Sequence, residues 1–377
     1  MLFRLLYNLL LSLALPFLTV YWIFFHYKNN IPIRRVLERL GWVTDYPKNA
    51  VWIHAASIGE LKLTEHLLPS ISKKHPIVIS TMTGRGFENK LEFPHFYLPI
   101  DHPLCVKLVI ALLKPKAIIF IETELWPSLI HQVSCPCFLI NGRLSSKSYQ
   151  SYLRYKRWTT PMFKKLKGIW CVSETVKERF TQLGGTVLSV HPNLKYLSCK
   201  ENNVPVTSNL PRLVCGSTHP VEDVALINQL PTFQEHIPGF ELVIIPRHQS
   251  RARWLKKQFS HYKGLVIEDR YGYTLSWYAK ARWAFIGGSL IKHGGQNPLE
   301  PLSMNVFTII GPHFYNFTSI VNDLQQNQFI TVINHEKDIV DILKHSTQSP
   351  ECSAFFHEQK ALAKKAIGDL ERRISGF

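Results

Sequence analysis

Acidic residues are scarce in this chain. Asp and Glu number 27 against 44 Lys and Arg, which leaves a formal charge of +17 over 377 residues. An excess of that size calls for an acidic partner, and nucleic acid, anionic lipid and a polyanionic small substrate all fit at this level. Metal-site patterns are missing as well: there is no HExxH, no CxxC pair, and the histidines are dispersed. No metal or other cofactor is expected. The seven cysteines are odd in number and scattered (105, 135, 137, 171, 199, 215, 352), which argues against a disulfide framework and places the body in a reducing compartment. Cys171 and Cys215 sit inside apolar runs and read as buried thiols. Neither GxGxxG nor GxxxxGK[ST] occurs, so dinucleotide and P-loop readings fall away. No repeat or low-complexity tract stands out. With 46% hydrophobic and 19% charged residues the chain is neither disordered nor collagen-like. A mean hydropathy near zero argues against a polytopic membrane protein.

One long uncharged run is present. Residues 5–25 read LLYNLLLSLALPFLTVYWIFF, and at about 1.5 Å per residue they reach about 30 Å, the thickness of a bilayer core. Tyr21 and Trp22 near one end suit the headgroup zone. The run exceeds the apolar region of a cleavable signal peptide and no A-x-A site follows it. Residues 1–28 are therefore expected to be a membrane anchor, with Asn8 and Pro16 leaving open whether they span or only insert. Lys28, Arg34, Arg35 and Arg39 follow the run against Arg4 before it, which places the body in the cytoplasm.

At about 150 residues per domain, the length suggests two domains and a surplus. From Val51 the runs VWIHAAS, PIVISTMT, FYLPI, AIIFIE, CFLING, GIWCVS and TVLSV alternate with helical periodicity. Continuous Val/Ile-rich runs suit strands covered on both faces, hence parallel α/β sheets. The pattern lapses at ENNVPVTSNLP, which reads as a linker, and resumes with RLVCGST, ELVIIPRH, GLVIED, WAFIGGS, FTIIG and ITVI. The expected division is an anchor over 1–28, one Rossmann-like domain over 29–204, a second over 205–350 and a closing amphipathic helix over 351–377.

Ligands of such sheets bind where strand ends meet the next loops, and the unusual residues fall there, six loops in all, expected to converge on an interdomain cleft. WIHAASIGE places Ser57, Gly59 and Glu60 at a helix start. Glu60 reads either as a carboxylate stabilised by the helix dipole or, after a run of small residues that leaves room for a substrate, as a general base. Glu122 and Glu124 follow a buried run on an i, i+2 spacing, as a pKa-raising pair or as a helix cap. Thr83, Gly84, Arg85 and Gly86 end another strand. In the second half the strand ends carry Gly216–His219, then Pro246, Arg247 and His248, then GGSLIKHGGQNPLEP. In that last segment Gly287, Gly288, Gly294 and Gly295 let amides approach an anion, and Asn297-Pro298 reads as an N-cap followed by proline in the first turn. A helix start of this kind is a ready phosphate site, and Glu300 is close enough to accept from ribose hydroxyls.

These motifs, together with STMTGRG, IETELWPSLI, NGRLS, NLK at 193–195 and GPHFYNF, resemble the bacterial 3-deoxy-D-manno-octulosonic acid (Kdo) transferases. The resemblance runs in order from residue 51 to about 317. It implies a GT-B glycosyltransferase fold of two Rossmann-like domains facing a cleft, with CMP-Kdo as donor and a phosphorylated lipid A precursor as acceptor. It implies that Glu60 is the base for an inverting, metal-independent transfer and that Glu122 is a second important acid. Ser57 and Gly59 belong to the same substrate loop, and Arg85 holds an anionic group. CMP falls to Ser217, Thr218, Pro246, Arg247, Gly287, Gly288 and Ser289, with Asn297 and Glu300 at the nucleotide end. Gln296 stands where the family commonly has histidine, His191-Pro192 precedes NLK where glycine is usual, and residues 268–278 follow the pattern D-x-x-G-E-L only loosely.

The charge agrees: donor and acceptor are polyanionic, and anionic lipid adds about 1 kcal/mol per nearby Lys or Arg. The reading needs the cytoplasmic face of the inner membrane as partner and no nucleic acid. Ile58, Leu61, Leu63 and Trp126 are candidates to meet acyl chains, Trp126 equally for the core. The alternatives are a nucleotide-sugar 2-epimerase of the same fold and a non-catalytic, membrane-tethered polyanion-binding protein.

Overall fold

A computed structural model describes residues 2–29, 31–83, 92–199, 210–345 and 351–377, with the side chains from residue 5 onward. Thirteen strands form among these residues, one for each apolar run. The first seven are β1 (Val51–His54), β2 (Ile77–Thr81), β3 (His95–Tyr97), β4 (Ala117–Ile121), β5 (Cys137–Gly142), β6 (Leu166–Cys171) and β7 (Val187–Val190). The other six are β8 (Arg212–Thr218), β9 (Glu241–Pro246), β10 (Leu265–Ile267), β11 (Trp283–Ile286), β12 (Phe307–Ile310) and β13 (Ile330–Val332). They pair in two parallel sheets, ordered β3-β2-β1-β4-β5-β6-β7 and β10-β9-β8-β11-β12-β13. Strands β1, β2 and β4 are buried along their whole length, which is why their sequences show no alternation of apolar and polar residues. Cys171 and Cys215 are fully buried.

The chain divides into two compact units, Met1–Leu194 with Ala361–Phe377, and Lys195–Lys360. The expected boundary at 204/205 lies outside the described residues, as does Arg85. The closing helix Ser353–Ser375 contributes to both units. In the first, Asp369 accepts from the Trp170 indole at 3.1 Å. In the second, Phe356 and Phe355 meet Tyr196.

In each sheet the chain works outward from one strand and then returns to its other side. The reversal falls between β1 and β4 in the first unit and between β8 and β11 in the second. Helices leaving two such neighbours cover opposite faces, so a crevice opens at the carboxyl ends of the pair.

The first unit also carries the apolar helix α1 (Leu2–Lys28), the short α2 (Arg34–Arg39) and, after β1, α3 (Ile58–Ile71). Helix α4 (Pro103–Leu113) precedes β4 and α5 (Pro127–Gln132) follows it. Arg39 departs from expectation. It is buried at 2% exposure rather than flanking a membrane segment, with its guanidinium over the rings of Trp22 and Tyr97, each at 4.2 Å. Leu61 and Leu63 are likewise in the core, because the face of α3 that carries them packs on the sheet.

Candidate active site at the two strand crossovers

In the first unit, Ser57 caps α3, and its Oγ accepts from the Glu60 amide at 3.4 Å. The Glu60 side chain turns back: Oε1 accepts from Ser57 Oγ and Oε2 from the Ala56 amide, both at 2.8 Å. This arrangement is a variant of the capping box in which the glutamate reaches the amide before the N-cap, so the structural role weighed for Glu60 is real. It does not make the carboxylate an ordinary one. Glu60 is 8% exposed, and burial lifts its pKa from 4.5 to about 7. The hydrogen bonds from Ser57 and Ala56 pull it back, while the charges of Glu122 and Glu124 raise it again. A carboxylate poised near neutral pH at a strand end is suited to take a proton from a hydroxyl.

Glu122, the residue after β4, holds φ of +57°, a left-handed backbone that non-glycine residues seldom adopt. Its carboxylate meets Arg143 Nη1 at 3.2 and 3.4 Å. The loops after β4 and β5 are tied further by Thr123 Oγ1, which donates to the Arg143 carbonyl and accepts from the Arg143 amide. Arg143 stands in the NGRLS motif, but nothing in the sequence pairs it with Glu122. Trp126 is half-buried and packs against the core cluster, with its indole committed to His54.

In the second unit, Ser217, Thr218, Pro246, Arg247, Gly287, Gly288 and Ser289 gather at the carboxyl ends of β8, β9 and β11. Ser217 has φ of +56°, matching the strain at Glu122. Gly287 is required by close approach: a Cβ there would lie 2.5 Å from the Ser217 carbonyl oxygen. The amides of this loop do meet an anion, and it belongs to the protein. Glu222, 1% exposed, accepts from the amides of His219 (3.2 Å), Gly288 (2.7 Å), Ser289 (3.1 Å) and Leu290 (3.0 Å). Ser289 Oγ is used internally too, donating to the Ile286 carbonyl and accepting from Gly311 N at 2.8 Å.

Two polar groups at the end of β8, His219 Nε2 and Thr218 Oγ1, are buried without a partner among the described residues. The His219 ring lies 3.9 Å from that of His293, centroid to centroid, and 6.3 Å from that of His248. Burial lowers the His219 pKa, and its closeness to His293, His248 and Arg247 lowers it further. Two unpartnered polar groups beside Arg247 are a site suited to an anion. Arg251, from the same motif as Arg247, is not part of it, since it forms a two-pronged pair with Asp223 at 2.7 and 2.8 Å.

Gly294 and Gly295 take positive φ in the loop after β11. Asn297 Oδ1 accepts from the Leu299 amide at 3.2 Å, and its Nδ2 donates to Glu300 at 3.3 Å. The helix that follows is only Leu299–Leu302, so its dipole is slight and the expected phosphate site at its start gains little from it. Sequence reasoning named His219 as part of a strand-end motif, without a role of its own, and did not single out Glu222, His293 or Arg143. The GSTH motif, with glutamate three residues beyond its histidine, was the available signal for Glu222.

A family profile described as 3-deoxy-D-manno-octulosonic-acid transferase matches residues 34–198. The 3-deoxy-D-manno-octulosonic acid transferase of Haemophilus influenzae is 30% identical over 92% of each chain. Among solved structures, the UDP-GlcNAc 2-epimerase of Neisseria meningitidis bound to UDP-GlcNAc aligns with a TM-score of 0.57 at 11% identity, over 85% of this chain and 98% of that one. MurG of Acinetobacter baumannii aligns with a TM-score of 0.52 at 11% identity, over 88% and 100%. These two likenesses establish the GT-B fold and nothing finer.

Proposed function

The chain belongs to the Kdo transferase family, and from that membership we propose that it moves Kdo from CMP-Kdo to a glucosamine hydroxyl of a lipid A precursor. The observation that carries the chemistry is Glu60, a buried carboxylate with a pKa of about 7 at the strand crossover. Glu60 takes the hydroxyl proton as the oxygen forms its bond to the anomeric carbon of Kdo. The bond from that carbon to the CMP phosphate oxygen breaks, and the electron pair leaves with CMP. Attack from the face opposite the leaving group inverts the anomeric centre.

In this reading His219 Nε2 and Thr218 Oγ1 donate to the donor phosphate, with Arg247 beside them as the exposed cation. Binding a dianion favours the protonated form of His219, whose pKa is otherwise held down. Glu222 keeps the loop amides in place for the donor rather than offering them to it. Asn297 and Glu300 hold the nucleotide end, and no metal takes part. Glu122 and Arg143 orient the acceptor side, with Glu122 also keeping Glu60 basic. The reaction takes place at the cytoplasmic face of the inner membrane, where α1 attaches the protein. The test is transfer by purified protein from CMP-Kdo to a tetraacylated lipid A precursor, with and without EDTA, with the anomeric configuration of the product read by NMR. Retention of configuration or loss of turnover in EDTA contradicts the mechanism.

A further inference from the structure

Helix α1 is long and apolar enough to cross a membrane, yet it is bound to the first unit near both of its ends. At one end Tyr7 donates to Asp101 Oδ2 at 2.9 Å, and Ser12 Oγ lies 3.0 Å from His102 Nε2. At the other, His26 is buried against the Tyr97 ring at 5.5 Å and Trp22 lies under the Arg39 guanidinium. Between Tyr7 and His26 the helix rises about 28 Å, close to the full thickness of a hydrocarbon core. Asp101 is itself built into the unit, since it accepts the Ser128 and Leu129 amides that begin α5. A helix crossing the bilayer would separate these attachment points by the membrane, and both sets cannot then persist.

The pattern of cover repeats along the whole helix. Residues 7, 11, 14, 18, 22 and 25 are half-covered by the protein. On the far side Leu9, Leu13, Phe17, Val20 and Phe24 are 56–78% exposed, within about 80° of one another around the axis at 100° per residue. No carboxylate lies within α1, and exposed cations stand near each end. Lys28 closes one end and Arg34 follows it; Arg154, Lys156 and Arg157 lie around Trp158, whose ring meets Tyr7 at the other. A spanning helix would have only one end at the anionic cytoplasmic surface, whereas a helix lying in the surface has both there.

We propose that α1 is an in-plane membrane helix, docked along the first unit and sunk by its outer face into an anionic leaflet. The proposal rests on the membrane location given above and not on the chemistry at Glu60. Bimane labels at Leu9→Cys, Leu13→Cys, Phe17→Cys and Phe24→Cys, in full-length protein carrying Cys135→Ser, read its depth. The other six native cysteines are buried. Vesicles of phosphatidylethanolamine and phosphatidylglycerol with lipids brominated at graded depths are the probe. The expected result is quenching at all four positions, with depths within about 5 Å of one another near the headgroup boundary. A profile with Phe17 near the bilayer centre and Leu9 and Phe24 about 10 Å shallower overturns it in favour of a span. Failure of the protein to bind the vesicles overturns the membrane contact itself, whatever the transferase activity in detergent.

Discussion

The indole N–H of Trp126 donates to Nε2 of His54 across 3.0 Å, tying the loop after β4 to the end of β1. His54 is fully buried, and burial drives its pKa down to about 3. The ring is therefore neutral. With Nε2 accepting, Nδ1 carries the proton and donates to Ser80 Oγ at 2.9 Å, which also receives the Trp52 indole at 2.7 Å. The strand that leads to Glu60 and the loop that carries Glu122 are thus joined by a chain of buried hydrogen bonds. Trp126→Phe keeps an aromatic ring, gives up the second ring's packing and orphans a buried acceptor, the last alone costing about 1–3 kcal/mol. Denaturant unfolding of the two proteins measures it; equal stability contradicts the account.

Glu60→Gln removes the base and little else, since the amide oxygen can still accept from Ala56. Turnover is expected to fall by about 10²–10⁴ with donor affinity nearly unchanged. Steady-state kinetics at saturating acceptor separate the two parameters.

The base works only when ionised, so activity rises with pH through about 7, the lifted pKa of Glu60. Glu122→Gln removes a charge that raises this pKa and shifts the rise to lower pH. Ser57→Ala removes a hydrogen bond that lowers it and shifts the rise to higher pH. Rate profiles of the three proteins check both directions, and a shift of the same sign in both variants contradicts the electrostatic assignment.

The same carboxylate couples stability to pH. Its folded pKa of about 7 lies above the unfolded value of 4.5, so its contribution is complete below 4.5 and lost as pH rises through 7. Ionising it in the folded state costs roughly 3 kcal/mol at most, from a lift of 2.5 units. Glu60→Gln should therefore gain stability relative to the native protein between pH 4.5 and 7 and hold the gain above that. Unfolding curves at pH 5 and pH 8 measure the difference.

Glu222→Ala leaves four loop amides without their acceptor. The expected cost is about 4 kcal/mol or more, at about 1–3 per orphaned buried donor, together with a raised KM for CMP-Kdo. Thermal denaturation and donor titration of the variant test this.

The thirteen strands were legible because a fully covered strand must be apolar on both faces, and IVIST or AIIFI can be little else at that length. Glu60 and Glu122 were legible because strand ends are where buried backbone gives way to polar loops. The amide nest of Gly288 and Ser289 was visible as glycines, but its occupant was not. Glu222 reaches it from the first turn of the helix Glu222–Asn228, entered through Val221 at φ of +78°, a contact with no signature in the residue order. Arg39 was misplaced for a related reason. A charge is read as surface by default, and the Trp22 and Tyr97 rings, with the Met82 carbonyl at 2.6 Å and the Leu98 carbonyl at 3.3 Å, make its burial tolerable. Hydropathy showed α1 as a length of apolar chain, whereas its attachment depends on Asp101 and His102, some 90 positions away.

The most direct test of the central claim is mass spectrometry of the lipid after incubating purified full-length protein with CMP-Kdo and a tetraacylated lipid A precursor, beside the Glu60→Gln variant. The account predicts a gain of at least one Kdo residue per acceptor with the native protein and almost none with the variant in the same time. No Kdo-bearing lipid from the native protein, or equal product from both, would contradict it.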